Sequence, residues 1–358
     1  MRRKNKHLLT GFAIGTFALI VADLIIQWCE QKKKGSSLTW DNYNGWQAIE
    51  KGLIGGLIGG GVGYIIYKYK LTEEDKLPFS SDEYLKRILT EESFKSDPVL
   101  LQKVLNFRET IKRSLVDIYG DKLVSPPENT GSFHKKTAIN SNYDLDIVLP
   151  FKKNGYDSLE LMYNDVYDKL GAKYSSIGKV SKQTRAIGLS FNYDDIDINF
   201  DIVPGREIEN YKEDKNLNLY VRPDWAWQKG SSFKTNIGIQ KKLAVNKPEA
   251  RKIIKLFKAY RDRNNFPLPT IIIDQLVIEA YEKSNFSWNY SITDNLLFTM
   301  EYVAKKMRVE QLLDYANSNN NLSNKITQQQ RDYIANQLAK DIMNIEKNPK
   351  FIKEIFEL

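Results

Sequence analysis

Two aspartates, Asp144 and Asp146, interrupt an apolar run that continues as Ile147-Val148-Leu149. A strand alternates its side chains between two faces, so both carboxylates fall on one face while Leu145 and Ile147 turn to the other. Carboxylates so close repel unless a cation lies between them, and magnesium, a hard ion that takes oxygen ligands, is the usual solution. The same alternation returns over residues 196–204. Ile196, Ile198, Phe200 and Ile202 share one face, and Asp197, Asn199 and Asp201 share the other. Asp201 is the preferred third carboxylate because it stands close to a Pro204-Gly205 turn, where a strand end meets a cleft. Three carboxylates from adjacent strands can hold two metal ions about 4 Å apart.

An Asp-x-Asp pair alone discriminates little, since Asp195-Ile196-Asp197 repeats it. The order of the parts is more specific. Gly131-Ser132 follows a turn signal, Pro126-Pro127-Glu128-Asn129. The glycine admits a backbone in which successive N–H groups converge on an anion, and the serine hydroxyl adds a donor. A basic and polar stretch then leads into the Asp144 strand, and Asp201 precedes Val203-Pro204. Within that stretch His134 reads as a solvent-facing loop residue, and Lys135 and Lys136 as a solvated pair able to steer anions. Asp197 reads as a residue of the strand face.

The periodicity around these strands sets the fold class. Helical spacing is expected over 98–119, 158–170, 248–264, 270–283, 293–315 and 327–344, with a helix opening at Ser80-Ser81-Asp82. Strands are expected over 143–151, 186–193 and 196–203. The plan is α+β: a small mixed sheet with helices, then a helical lobe across a cleft. The expected division is 71–240 for the core with its long N-terminal helices and 241–358 for the helical lobe.

Residues 1–70 read differently. Residues 8–26 carry one charge, Asp23, and 52–67 form a second apolar run with seven glycines. They are expected as a two-span membrane hairpin, about 8–28 and 48–67, with both termini in the cytoplasm. This predicts a protein of the inner (plasma) membrane, a lipid bilayer as partner, and a membrane effector or sensor beside it. The excess positive charge sits here too: ten Lys/Arg against four Asp/Glu in 1–70, leaving 43 against 41 in the rest of the net +8. With the remainder nearly neutral, no duplex nucleic acid is expected as partner. One cysteine, Cys29, excludes a disulfide framework and a Cys-based zinc cluster.

Taken together, GSFHKKTAINSNYDLDIVLPF and DINFDIVPG resemble the nucleotidyltransferase superfamily of DNA polymerase beta. Within it the resemblance is to the branch of oligoadenylate synthetases, cGAS and the bacterial cGAS/DncV-like enzymes (CD-NTases). Residues 247–281, KPEARKIIKLFKAYRDRNNFPLPTIIIDQLVIEAY, resemble that branch's helical lobe, with Lys258-Ala259-Tyr260 at its Lys-x-Trp position and Thr270 and Asp274 at its Ser and Glu positions. The resemblance implies that Gly131 and Ser132 grip the donor triphosphate, Asp144 and Asp146 bind magnesium, Asp201 helps activate the acceptor hydroxyl, and Lys258 reaches the phosphates. It implies two Mg2+ ions, with Mn2+ as the alternative, and nucleoside triphosphates as substrates, ATP foremost. The product would be a cyclic or short linear oligonucleotide messenger in bacterial antiphage defence. Three features depart from the branch: Tyr260 for Trp, Asp274 for Glu, and Ile237 where proline is common. Two other readings stand beside this one: transfer to a protein, tRNA or oligonucleotide acceptor, and an inactive membrane-anchored binding module.

Overall fold

The alternating stretches form the centre of a seven-stranded sheet in the computed structural model of the chain, which describes residues 79–93, 98–139, 145–193, 196–225, 227–284, 291–309 and 311–357. The central pair is β2 (Leu145–Phe151) and β5 (Ile196–Glu207), which run parallel. Outside β2 lies the short β1 (Glu128–Asn129), which leads into α3 (Gly131–His134). On the other edge of β5, β4 (Ile187–Tyr193) pairs antiparallel and is followed by β3 (Lys179–Lys182). Further along that edge β6 (Asn216–Val221) pairs with the end of β5, and β7 (Ser231–Asn236) pairs with β6.

One face of the sheet is covered by α2 (Pro98–Tyr119) and α4 (Leu159–Tyr174). Their apolar stripes, Val104, Ile111 and Leu115 on one and Met162, Val166 and Leu170 on the other, share one cluster with Leu145, Ile147, Phe200 and Ile202. Phe107 meets Phe191 and Phe200 edge-on at 4.7 and 5.4 Å between ring centres. Each such side chain fully buried contributes about 1.5–3 kcal/mol. This burial fixes which side of each strand faces inward, so the aspartates between the buried positions emerge on the opposite side.

The second half is helical: α7 (Pro248–Asn264), α8 (Thr270–Lys283), α9 (Ile292–Val309), α10 (Gln328–Lys347) and α11 (Ile352–Ile355). The short α5 (Tyr211–Asp214) and α6 (Ile237–Lys242) link the sheet to it. α1 (Ser81–Glu91) comes from the other end of the sequence but packs here. The Asp82 carboxylate accepts from Thr293 N at 2.9 Å, Ile292 N at 3.2 Å and the Ser291 hydroxyl at 3.1 Å, satisfying donors that the first turn of α9 leaves open. The Tyr84 hydroxyl donates to the Phe356 carbonyl.

Several sequence expectations need correction. β5 passes straight through Pro204 and Gly205 to Glu207, with no turn there. Pro204 falls between the last β4 pairing, at Ile202, and the first β6 pairing, at Gly205, an interval where a missing N–H costs little. The helix expected to reach Tyr315 ends at Val309, and a small hairpin follows, β8 (Leu313–Asp314) and β9 (Asn317–Asn321). Its asparagine-rich strand carries no apolar alternation to announce it.

The plasma-membrane localisation is also corrected. Both expected spans, about 8–28 and 48–67, lie outside the described residues, and among the described residues no helix is long and apolar enough to cross a membrane. The longest of these helices, α2 with 22 residues, carries Lys103, Arg108, Glu109, Lys112, Arg113 and Asp117 along its length.

Candidate active site

Parallel pairing of β2 with β5 sets Asp146 directly against Asp201. Neighbouring strands lie about 4.8 Å apart, so the two carboxylates rise side by side from the sheet face opposite α2 and α4. On its far side Asp201 is held by Gln183, whose Nε2 donates to Oδ1 at 2.7 Å. Asp144 lies outside the described residues, and among the described residues no set of three His, Cys, Asp or Glu converges. Asp197, four residues before Asp201, accepts instead from Asn192 Nδ2 at 2.8 Å.

Gly131 is brought to this pair by the backbone of the preceding residue: Thr130 N donates to the Asp146 carbonyl at 3.0 Å. Its φ is +68°, a conformation that glycine adopts without steric cost, and a Cβ here would lie 1.6 Å from Asp146 Oδ2. The position therefore requires glycine for two separate reasons. The Ser132 carbonyl accepts from Thr137 N at 2.9 Å and Ala138 N at 3.2 Å, closing the loop in which Lys136 takes φ +60°. His134 is exposed, as expected, and partial desolvation together with the charges of Lys241 and Arg108 lowers its pKa.

A cavity of about 330 Å³ opens from this turn toward the helical half, with Gly131, Ser132, Lys135 and Asp146 on one wall and Lys258 and Asp274 on the other. Asp274 is buried at 1% exposure and bridges two ammonium groups: Lys135 Nζ to Oδ2 at 2.5 Å and Lys258 Nζ to Oδ1 at 3.2 Å. Burial alone would raise the Asp274 carboxyl, but the two charges more than offset it and hold it below its ordinary range. Lys258 also donates to the Thr137 carbonyl at 2.9 Å. Burial lowers the Lys258 ammonium against the opposing pull of Asp274. Thus Lys258 lines the same cavity as Ser132, with its ammonium already seated.

The neighbouring departures have clear partners. The buried Tyr260 donates to Asp341 Oδ2 at 2.6 Å, and Thr270 Oγ1 accepts from Arg261 Nη1 at 2.8 Å. Sequence reasoning missed the engagement of Lys135 with Asp274 and of Gln183 with Asp201. Residue type and spacing carry no signal for either, because the first partners are 139 positions apart and the second are separated by the whole of β4.

No protein-family model matches the chain, and no functionally curated protein matches it in sequence. Solved structures do. The CD-NTase CdnG of Bradyrhizobium diazoefficiens, in complex with GTP, superposes with a TM-score of 0.62 at 14% identity, covering 78% of this chain and 95% of that one. CdnC of E. coli MS115-1 with ATP gives 0.59 at 16% identity, over 77% and 98% of the two chains. The CdnE cyclic dinucleotide synthase of Elizabethkingia meningoseptica, with GTP and Apcpp, gives 0.52 at 15% identity, over 74% and 99%. The chain has the CD-NTase fold. At these identities the likeness rests on backbone arrangement. The polymerase beta-like plan expected from the Gly-Ser and Asp-x-Asp segments is therefore the plan that the chain adopts. On this fold Asp146 lines the cavity between sheet and helices, and Asp201 stands beside it in the neighbouring strand.

Proposed function

We propose that this protein is a nucleotidyltransferase that joins nucleoside triphosphates into a cyclic or short linear oligonucleotide. The observation that carries the reading is the register of Asp146 against Asp201 beside a turn that must be glycine, at the mouth of a cavity lined by Lys135 and Lys258. The solved structures of like fold include proteins bound to GTP or ATP and one described as a cyclic dinucleotide synthase, which supports the same substrate class.

The donor set suits magnesium: the carboxylates are hard oxygen ligands in adjacent register, and the absent Cβ of Gly131 leaves room for Asp146 Oδ2. Asp146 and Asp201 would hold the metal together with Asp144. Magnesium there supplies a lowered pKa for the attacking hydroxyl and charge stabilisation for departing pyrophosphate. The backbone of Gly131 and the hydroxyl of Ser132 bind the donor triphosphate, with Lys135 and Lys258 neutralising its charge from the side. Asp201, fixed by Gln183, orients the acceptor hydroxyl and draws its proton. The hydroxyl oxygen bonds to the α-phosphorus, the bond from that phosphorus to the β-bridging oxygen breaks, and pyrophosphate leaves with the electron pair. By the resemblance of sequence, the product would serve as a messenger in antiphage defence.

Purified full-length chain incubated with the eight common α-labelled ribo- and deoxynucleoside triphosphates and magnesium is expected to yield small labelled products. Asp146→Asn and Asp201→Asn should each reduce turnover at least about 100-fold, as loss of transition-state charge stabilisation does. Unchanged turnover in either variant refutes the site. Label on protein or RNA, instead of in small products, would favour the alternative acceptor. For the defence role, plaque counts on cells carrying wild type or Asp146→Asn should differ, and equal counts reject it.

A further inference from the structure

The loop after Gly131 and the helical half grip each other through two reciprocal contacts. The loop sends Lys135 to Asp274 of α8, and α7 sends Lys258 back to the Thr137 carbonyl of the loop at 2.9 Å. Two ammonium groups therefore share one buried carboxylate, and Arg261, which also bears on Lys258, is a cation as well. The cluster keeps a net positive charge on the cavity that Gly131 and Ser132 also line.

The two lysines keep donors uncommitted. An ammonium carries three N–H groups. Lys135 uses one, on Asp274 Oδ2, and Lys258 uses two, on the carbonyl and hydroxyl oxygens of Thr137. Lys258 approaches Asp274 Oδ1 at 3.2 Å as an ion pair, but that buried oxygen receives no directed hydrogen bond among the described residues. Asp274 thus compensates the charge of Lys258 without occupying its last N–H. Such compensation matters because a buried charge that loses its partner is strongly unfavourable.

We propose that Asp274 is a positioning residue for the donor triphosphate: sunk behind Lys135 and Lys258, it holds both ammonium groups toward the cavity and does not itself touch the substrate. This rests on the nucleotidyltransferase reading and adds to it the group on which the phosphate-binding lysines depend. Without Asp274, Lys258 would stay buried beside two cations, Lys135 and Arg261, with only the Thr137 oxygens as partners. Burial already lowers the Lys258 pKa against the pull of Asp274, so removing that pull lowers it further, and the ammonium loses its proton at a lower pH.

The test compares full-length wild type with Asp274→Asn, which keeps the shape and removes the charge, using α-labelled ATP with magnesium between pH 7 and 9. At pH 8 the variant should raise KM for ATP at least about tenfold, as loss of a charged phosphate contact does. Its kcat should fall less than about threefold, the pattern of binding lost equally from ground and transition states. Toward pH 9 the variant's KM should rise further as Lys258 loses its proton, while that of wild type holds within about twofold. Adding Lys258→Arg to Asp274→Asn should flatten the profile, because a guanidinium keeps its proton throughout. A merely structural role predicts no such rescue.

Equal KM values in wild type and Asp274→Asn overturn the proposal, as does a loss confined to kcat or a variant profile parallel to that of wild type. If Asp274→Asn does not fold, Asp274→Glu decides: it keeps the charge, so a flat KM profile supports the proposal and one that rises toward pH 9 rejects it. If wild type transfers label to nothing, the enzymatic reading itself has failed. Calorimetric titration with α,β-methylene-ATP and magnesium at pH 8 then settles the role of Asp274: a tenfold weaker Kd in Asp274→Asn supports it, and an unchanged Kd rejects it.

Discussion

Gly131 shows how a single residue type can be dictated by its neighbour. Any other side chain would need both a left-handed backbone and the space taken by the Asp146 carboxylate. Gly131→Ala should therefore lose at least about 1 kcal/mol of stability from the backbone term alone. Because relief of the clash displaces Asp146, nucleotide transfer should also fall about 100-fold or more. A thermal melt and the labelled-product assay check this together, and a variant with normal turnover would show that the turn does not position the aspartate. The glycine was legible in the sequence because it follows a proline-rich turn signal and precedes a serine. Its collision partner was not, since Asp146 reaches it only through the ladder bond from Thr130.

At the scale of elements, α1 is fastened to α9 by a side chain from the wrong helix. Asp82 sits in the first turn of its own helix yet accepts from the first turn of α9. Burial would raise its carboxyl, but the bonds from Thr293, Ile292 and Ser291 together outweigh that and lower it below the ordinary 3.8. A carboxylate with a depressed folded pKa stabilises the protein above its unfolded pKa, and that contribution fades as pH falls through the folded value. Asp82→Ala should thus cost about 1–2 kcal/mol at pH 7. The gap between wild type and variant should close as pH falls below about 3.8, readable as melting temperature against pH. A gap independent of pH would show that packing, and not the cap, makes the difference. The helix starting near Ser80 is plain from its Ser-Ser-Asp opening, whereas nothing local indicates that this Asp serves a segment 211 positions away.

For the whole molecule, the cavity between sheet and helices ties distant parts together through Asp274. Lys135 of the core loop and Lys258 of α7 both close on it. A triphosphate entering beside Ser132 would meet these ammonium groups from the open side and stabilise the folded state by mass action. At about 100 times its Kd, ATP with magnesium should add about 2.7 kcal/mol, seen as a higher melting temperature. Chelation with EDTA should remove most of that gain. Equal melting curves with and without ATP and magnesium would argue against nucleotide binding in this cavity.

Strand alternation, helix period, caps and the demand for glycine are local properties, and the sequence by itself determined them: the helices at 98–119, 248–264 and 270–283 match to the residue. Alternation could say that Asp197, Asn199 and Asp201 share a face. It could not say which of them stands opposite Asp146, because a slip of two residues keeps every side chain on its face. Only the tertiary structure decided that register, through the fit of Phe200 and Ile202 into the core beneath. The same holds for Lys135 and Asp274, which meet across 139 positions with no shared pattern in the chain. Contacts of that range are set by how the buried faces of whole elements pack, and no window of sequence contains both partners.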